Sequence, residues 1–88
     1  MQLPAIHLNG TDQAQLLDDA GKCYTAIQMA IGTIAQRGPN ARDYYIIDDS
    51  AYSVARAEHE SRLKRLWELA AEYDAICEGI NKGGWKRG

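Results

Sequence analysis

The sequence predicts an all-α fold, a long antiparallel helical hairpin that self-associates into a helical bundle. Three observations carry this reading. Apolar residues recur at alternating three- and four-residue steps over two long stretches, residues 12–37 and 49–80. Gly38-Pro39 interrupts the pattern between them. The composition, with no Phe, only 2 Pro and abundant Ala, suits helices better than a β-sandwich.

The first segment, residues 1–11, reads as extended. Pro4 biases Leu3 away from helix, and Ile6-His7-Leu8 runs into the turn pair Asn9-Gly10. Thr11 then offers a hydroxyl N-cap, with Asp12 in the first turn near the positive end of the helix dipole. In the first helix the stripe is Leu16, Ala20, Cys23, Ile27, Ala30 and Ile34, widened by Leu17, Tyr24 and Ile31. Gly21 and Gly32 each weaken this helix by about 1 kcal/mol relative to Ala, and close helix approach is one compensation. Residues 38–48 form the loop. Asp48, Asp49 or Ser50 caps a second helix, which Asn81-Lys82-Gly83-Gly84 ends. Its stripe reads Tyr52, Ala55, His59, Arg62, Leu66, Leu69, Tyr73, Ile76 and Ile80, flanked by Leu63, Ala70 and Cys77. The lower half is ordinary core, whereas Ala51 to Arg62 carries Val54 as its only aliphatic side chain larger than alanine. The tail, residues 81–88, is mobile unless Trp85 docks.

The 88 residues make one domain. At 45% hydrophobic and 25% charged the chain is of a soluble globular kind. It has no signal-peptide pattern and no apolar run near the roughly 18 residues of a membrane span, so no membrane partner is expected. Cys23 and Cys77 make neither a disulfide framework nor a metal set and read as small buried hydrophobes. Residues 1–49 hold six acids and three bases, net −3, and residues 50–88 six acids and seven bases, net +1. That balance lacks the basic footprint of general DNA binding and the acidic excess of a DNA mimic.

A two-helix hairpin cannot enclose a core, and each stripe is wide enough to touch more than one neighbour. The expected state is therefore a homo-oligomer, a four-helix dimer or a larger closed ring.

No Gly-rich phosphate loop, zinc-spaced Cys/His set, His-Glu-x-x-His or Gly-x-Ser-x-Gly is present, so no enzyme and no cofactor is expected. Three segments are candidates for binding. In the loop, Asn40, Arg42, Tyr44 and Tyr45 combine an arginine fork for phosphate or carboxylate with an aromatic that stacks. The competing account has Arg42 paired with an acid and a tyrosine plugging the open end of the bundle. At the start, His7, Asn9, Gly10 and Thr11 precede a helix N-terminus whose free amides suit an anion, though a hydrophobic staple and cap would also explain them. On the upper second helix, Arg56, His59 and Arg62 form one wall of a polar pocket or a solvated strip.

These residues also carry a resemblance. Ile6-His7-Leu8-Asn9-Gly10-Thr11, Pro39-Asn40-Ala41-Arg42-Asp43-Tyr44-Tyr45 and Ala55-Arg56-Ala57-Glu58-His59 make the chain, up to about Ile80, similar to uncharacterised small helical phage and prophage proteins. The resemblance implies the cytoplasm of a bacterial host and a small viral accessory protein. It also implies a counter-defence role, either sequestering a nucleotide-derived immune signal as an oligomeric sponge or blocking a protein. The expectation is thus a non-enzymatic homo-oligomer binding a small anionic nucleotide-derived ligand. The alternative is an inhibitor or adaptor that binds a host or viral protein through the Arg-Asp-Tyr-Tyr loop. One site can join the N-terminal segment to the loop only across two antiparallel chains, because a helix separates them.

Overall fold

The computed structural model describes residues 1–86, and residues 87 and 88 of the tail lie outside the described residues. Two long helices dominate, α1 over Gln13–Gln36 and α2 over Ala51–Asn81, joined by a loop that makes one 3-10 turn at Ala41–Asp43. They run antiparallel: the Gln13 side chain at the start of α1 donates to the Ile80 carbonyl near the end of α2 at 2.8 Å. At the other end, Gly38 lies against the His59 ring.

The α1 cap falls one residue later than expected, and the α2 cap falls within Asp48-Asp49-Ser50 as expected. Asp12, not Thr11, caps α1, its carboxylate accepting from the Gln15 amide at 2.8 Å. Before α2, Ser50 occupies the cap position, but the side chain that accepts there is Asp48. It takes the Ser50 amide and hydroxyl, both at 2.8 Å. The Ser50 hydroxyl, then the Ser50 amide, hold the Asp48 carboxyl below its ordinary 3.8.

The seam between the helices is narrower than the sequence stripes and slightly rotated from them. On α1 the inward series is Leu17, Ala20, Tyr24, Ile27, Ile31 and Ile34, all buried or half-buried; Cys23, expected inside, is exposed. On α2 the inward series is His59, Leu63, Leu66, Ala70, Tyr73, Cys77 and Ile80. Ala70, expected as a flanker, is 2% exposed, while Leu69, expected in the stripe, is 38% exposed. Steps of three and four in strict alternation average 3.5 residues per turn, which keeps one line of side chains against a partner helix. The sequence stripes have the same spacing but a neighbouring phase, about 100° round the helix at Leu69 against Ala70.

This seam buries little. Only Ala20, Ile31, Ala70 and Ile80 are fully buried among the described residues. The five ion pairs found among them all join positions four apart on one helix, so none crosses the seam. Such pairs support a helix by a few tenths of a kcal/mol and do not hold the hairpin. The radius of gyration is 19.0 Å and the extents are 62 × 24 × 16 Å. A compact chain of this length would have a radius near 12 Å.

The ends of the chain close on each other. The α2 terminus is a Schellman motif, with the Gly84 amide donating to the Gly79 carbonyl at 2.8 Å and the Gly83 amide to the Ile80 carbonyl at 3.0 Å. Gly83 and Gly84 have φ of 113° and 73°. The N-terminal segment crosses this terminus: Ala5 pairs with Gly84, and the Trp85 amide donates to the Pro4 carbonyl at 2.8 Å. Described residues of the tail therefore dock, by backbone, with the indole half-exposed. Leu3 lies over Gly79, where an added Cβ would sit 2.5 Å from its Cδ1.

Gly21 and Gly32 do not serve close approach within the chain, since a Cβ at either meets nothing within 4 Å. Gly32→Ala is therefore expected to stabilise the protein by about 0.5–1 kcal/mol. Gly84→Ala should lose at least that much, because its φ is positive and its Cβ would lie 2.5 Å from the Pro4 carbonyl oxygen. Urea denaturation of the two variants beside the parent reads both signs.

Candidate functional site

The helices are unequal, 24 residues against 31. With Gln13 level with Ile80 and Gly38 level with His59, the first two turns of α2 extend past the end of α1. There the loop, not a helix, lies against α2. Asn40 starts its 3-10 turn, its side-chain oxygen accepting from the Arg42 amide at 3.1 Å. Tyr44 packs on Tyr52 with ring centroids 6.5 Å apart and a 48° tilt, a geometry within the range aromatic pairs favour. This explains why the upper half of α2 has no aliphatic stripe: it faces the loop and not α1.

Between loop and overhang lies a cleft of about 310 Å³ lined by Arg37, Pro39, Tyr44, Ala55, Glu58, His59 and Arg62. Arg37 comes from the end of α1, Tyr44 from the loop, and His59 and Arg62 from adjacent turns of α2. The His59 ring is half-buried against Gly38, where an added Cβ would stand 3.2 Å from Nε2. Arg62 reaches Glu58 at 3.7 Å, with both side chains more than half exposed. That is a long surface pair, easily exchanged for another anion. Among the described residues Arg37 has no ion-pair partner within the chain. Two guanidiniums, an imidazole and a phenol around one open cleft can take a doubly charged oxyanion and cover one apolar or aromatic face.

Of the residues singled out in the sequence, Tyr44, His59 and Arg62 meet in this cleft. Tyr45 and Arg42 are exposed on the same loop and do not line it. Arg56 is turned to Glu60, 3.2 Å away on the outer face of α2. His7, Asn9, Gly10 and Thr11 stand at the opposite end of the hairpin, about 36 Å away along α1. There the Gly10 amide closes a turn on the His7 carbonyl at 3.2 Å, and the His7 ring covers Gly10. Arg37 and Glu58 were not anticipated. Their signals were present: Arg37 is the last residue before Gly38-Pro39, and Glu58 lies four before Arg62.

Among the described residues no group of three His, Cys, Asp or Glu is placed to hold a metal ion, and no helix is long and apolar enough to cross a membrane. Away from the cleft, the charge of the neighbouring Cys23 and then its hydrogen bond push the Tyr73 phenol above its ordinary 10.

The two loop tyrosines should separate cleanly in stability. Tyr44→Ala removes the ring against Tyr52 and should cost about 1–2 kcal/mol, whereas Tyr45→Ala, at a side chain 68% exposed, should stay within about 0.5 kcal/mol. Thermal melts of both variants check this; equal losses would contradict the packing of Tyr44 on Tyr52. No protein-family model, curated protein or solved structure matches the chain.

Proposed function

We propose that this is a non-enzymatic, self-associating helical protein that captures a small anionic, nucleotide-derived ligand in the loop-end cleft. The convergence of Arg37, Arg62, His59 and Tyr44 on one opening carries the reading. The guanidiniums supply a fork for phosphate, His59 a further donor, and Tyr44 a face for a base. Glu58 holds Arg62 loosely at 3.7 Å, and a phosphate would replace that carboxylate. With the resemblance to small phage proteins, the role proposed is that of an accessory protein in the cytoplasm of a bacterial host, sequestering a nucleotide signal of the host's defence.

A second reading draws on a different observation. Tyr45, Ile46 and Ile47 form a consecutive apolar tip, 68%, 75% and 66% exposed. Such a tip beside Arg42 suits a contact with a host or viral protein.

The test is calorimetric titration of the protein with a panel of cyclic and linear nucleotides, with pyrophosphate as the bare-anion control. Native mass spectrometry of protein expressed in bacteria adds the retained mass. A nucleotide should bind, and Arg37→Ala and Arg62→Ala should each weaken it about tenfold or more, the scale of a charge-assisted hydrogen bond, without lowering the melting temperature. The reading fails if no nucleotide binds more tightly than millimolar, or if both arginine variants bind as the parent does.

A further inference from the structure

The amount of surface left open asks for an occupant. The chain exposes 6678 Å², where a compact monomer of 9.8 kDa exposes about 5,200 Å². The excess, about 1,500 Å², is nearly twice the roughly 800 Å² that one partner contributes to an interface of standard size.

Two parts of that surface complement each other. One is the tip, Tyr45-Ile46-Ile47, bounded by Asp43 before it and Asp48-Asp49 after it. The other is a groove of about 340 Å³ on one side of the seam, formed by Ile34, Leu66 and Leu69 with Arg62 and Arg65 on its rim. Apolar meets apolar, and acids meet bases. The charges are also available. Among the described residues Asp43 and Asp49 enter no ion pair, and Arg65 makes no contact with an acid, only one of 3.4 Å to the Ser61 carbonyl. Tip and groove lie too far apart to meet within a chain: α2 begins at Ala51, just after the tip, and Leu66 lies about 22 Å further along it.

We infer that the tip of one copy docks in the groove of a second, and that the second returns the same contact. An isologous pair of this kind has its two-fold axis near Ala57, midway between Asp49 and Arg65 in α2, and the two α2 helices cross there antiparallel. Arg62 lines both the groove and the polar cleft, so the two sites share one side chain. The inference rests on the self-association in the proposed function and adds its surface and symmetry.

Charge reversal tests it, read by sedimentation velocity from 1 to about 200 μM, with circular dichroism to confirm full helicity. The parent should sediment as a dimer within that range. Asp49→Arg sets arginine against Arg65, and Arg65→Asp sets aspartate against Asp49, twice per dimer, so each variant alone should dissociate about tenfold more readily. Mixed in equal amounts they should recover, because both contacts of the heterodimer pair opposite charges. Ile46→Asp, at an exposed loop position, should also disperse the dimer while leaving helicity intact. A parent that stays monomeric at 200 μM overturns both this interface and self-association. A parent dimer that all three variants form equally well overturns the interface alone and leaves the surface free for a host or viral protein. Neither result bears on nucleotide capture, since Asp49, Arg65 and Ile46 do not line the cleft.

Discussion

Two helices meet along one line, and everything else in this molecule follows from how little a single line can bury. The seam takes one side chain per half-heptad from each helix, and most of these remain half-exposed because no third element covers them. Hydrophobic stabilisation scales with the area removed from water, at about 25 cal/mol per Å². A rod with a 19.0 Å radius of gyration therefore forgoes much of what a compact chain of equal length gains. The polar contacts do not make up the difference. Gln13 links the helices through the Ile80 and Asn81 carbonyls, Cys23 meets Tyr73 across the seam, and the ion pairs among the described residues serve each helix separately.

The chain compensates at its two ends, by different means. At the termini, the N-terminal segment lies across the end of α2 and fills it: Leu3 on Gly79, Ala5 paired to Gly84, Pro4 accepting from Trp85. Glycine is required at position 84 because the Pro4 carbonyl leaves no room for a Cβ. At the loop, the overhang of α2 is stopped by Tyr44 on Tyr52 and by His59 on Gly38. The first end is sealed by backbone and small residues. The second is propped open by aromatic and charged ones, and the cleft is the space that remains between prop and helix.

Much of this was legible in the sequence, within limits set by periodicity. Alternating three- and four-residue steps, Gly38-Pro39 and Asn81-Lys82-Gly83-Gly84 were enough for two helices and their ends to within two residues. The same steps could not say which of two adjacent stripes faces the partner, because Leu69 and Ala70 differ by 100° of rotation and both are apolar. The absence of aliphatic residues from Ala51 to Arg62 was visible; its cause, an overhang beyond α1, depends on the register of the hairpin. Tyr44, His59 and Arg62 were recognisable as unusual, but Arg37 was not, since an arginine at a helix C-terminus is ordinary. The pairing of Ala5 with Gly84 joins residues 79 positions apart, and no local pattern reports it.

The position of the charged residues then bears on what the rod is for. If α2 were only a support for α1, its overhang would be wasted length, with two further turns ordered against a loop that buries no residue fully. Ordering a residue costs about 1–2 kcal/mol of backbone entropy, and a marginal hairpin has little to set against it. The overhang does carry Ala55, Glu58, His59 and Arg62 past the end of α1, where Arg37 and Tyr44 can face them. It also lifts Tyr45, Ile46 and Ile47 clear of the molecule's own surface. Polar cleft and apolar tip are thus two products of the same seven-residue difference in helix length. Shortening α2 by two turns would preserve the seam and remove both, so the extra length of α2 serves the loop end and not the seam.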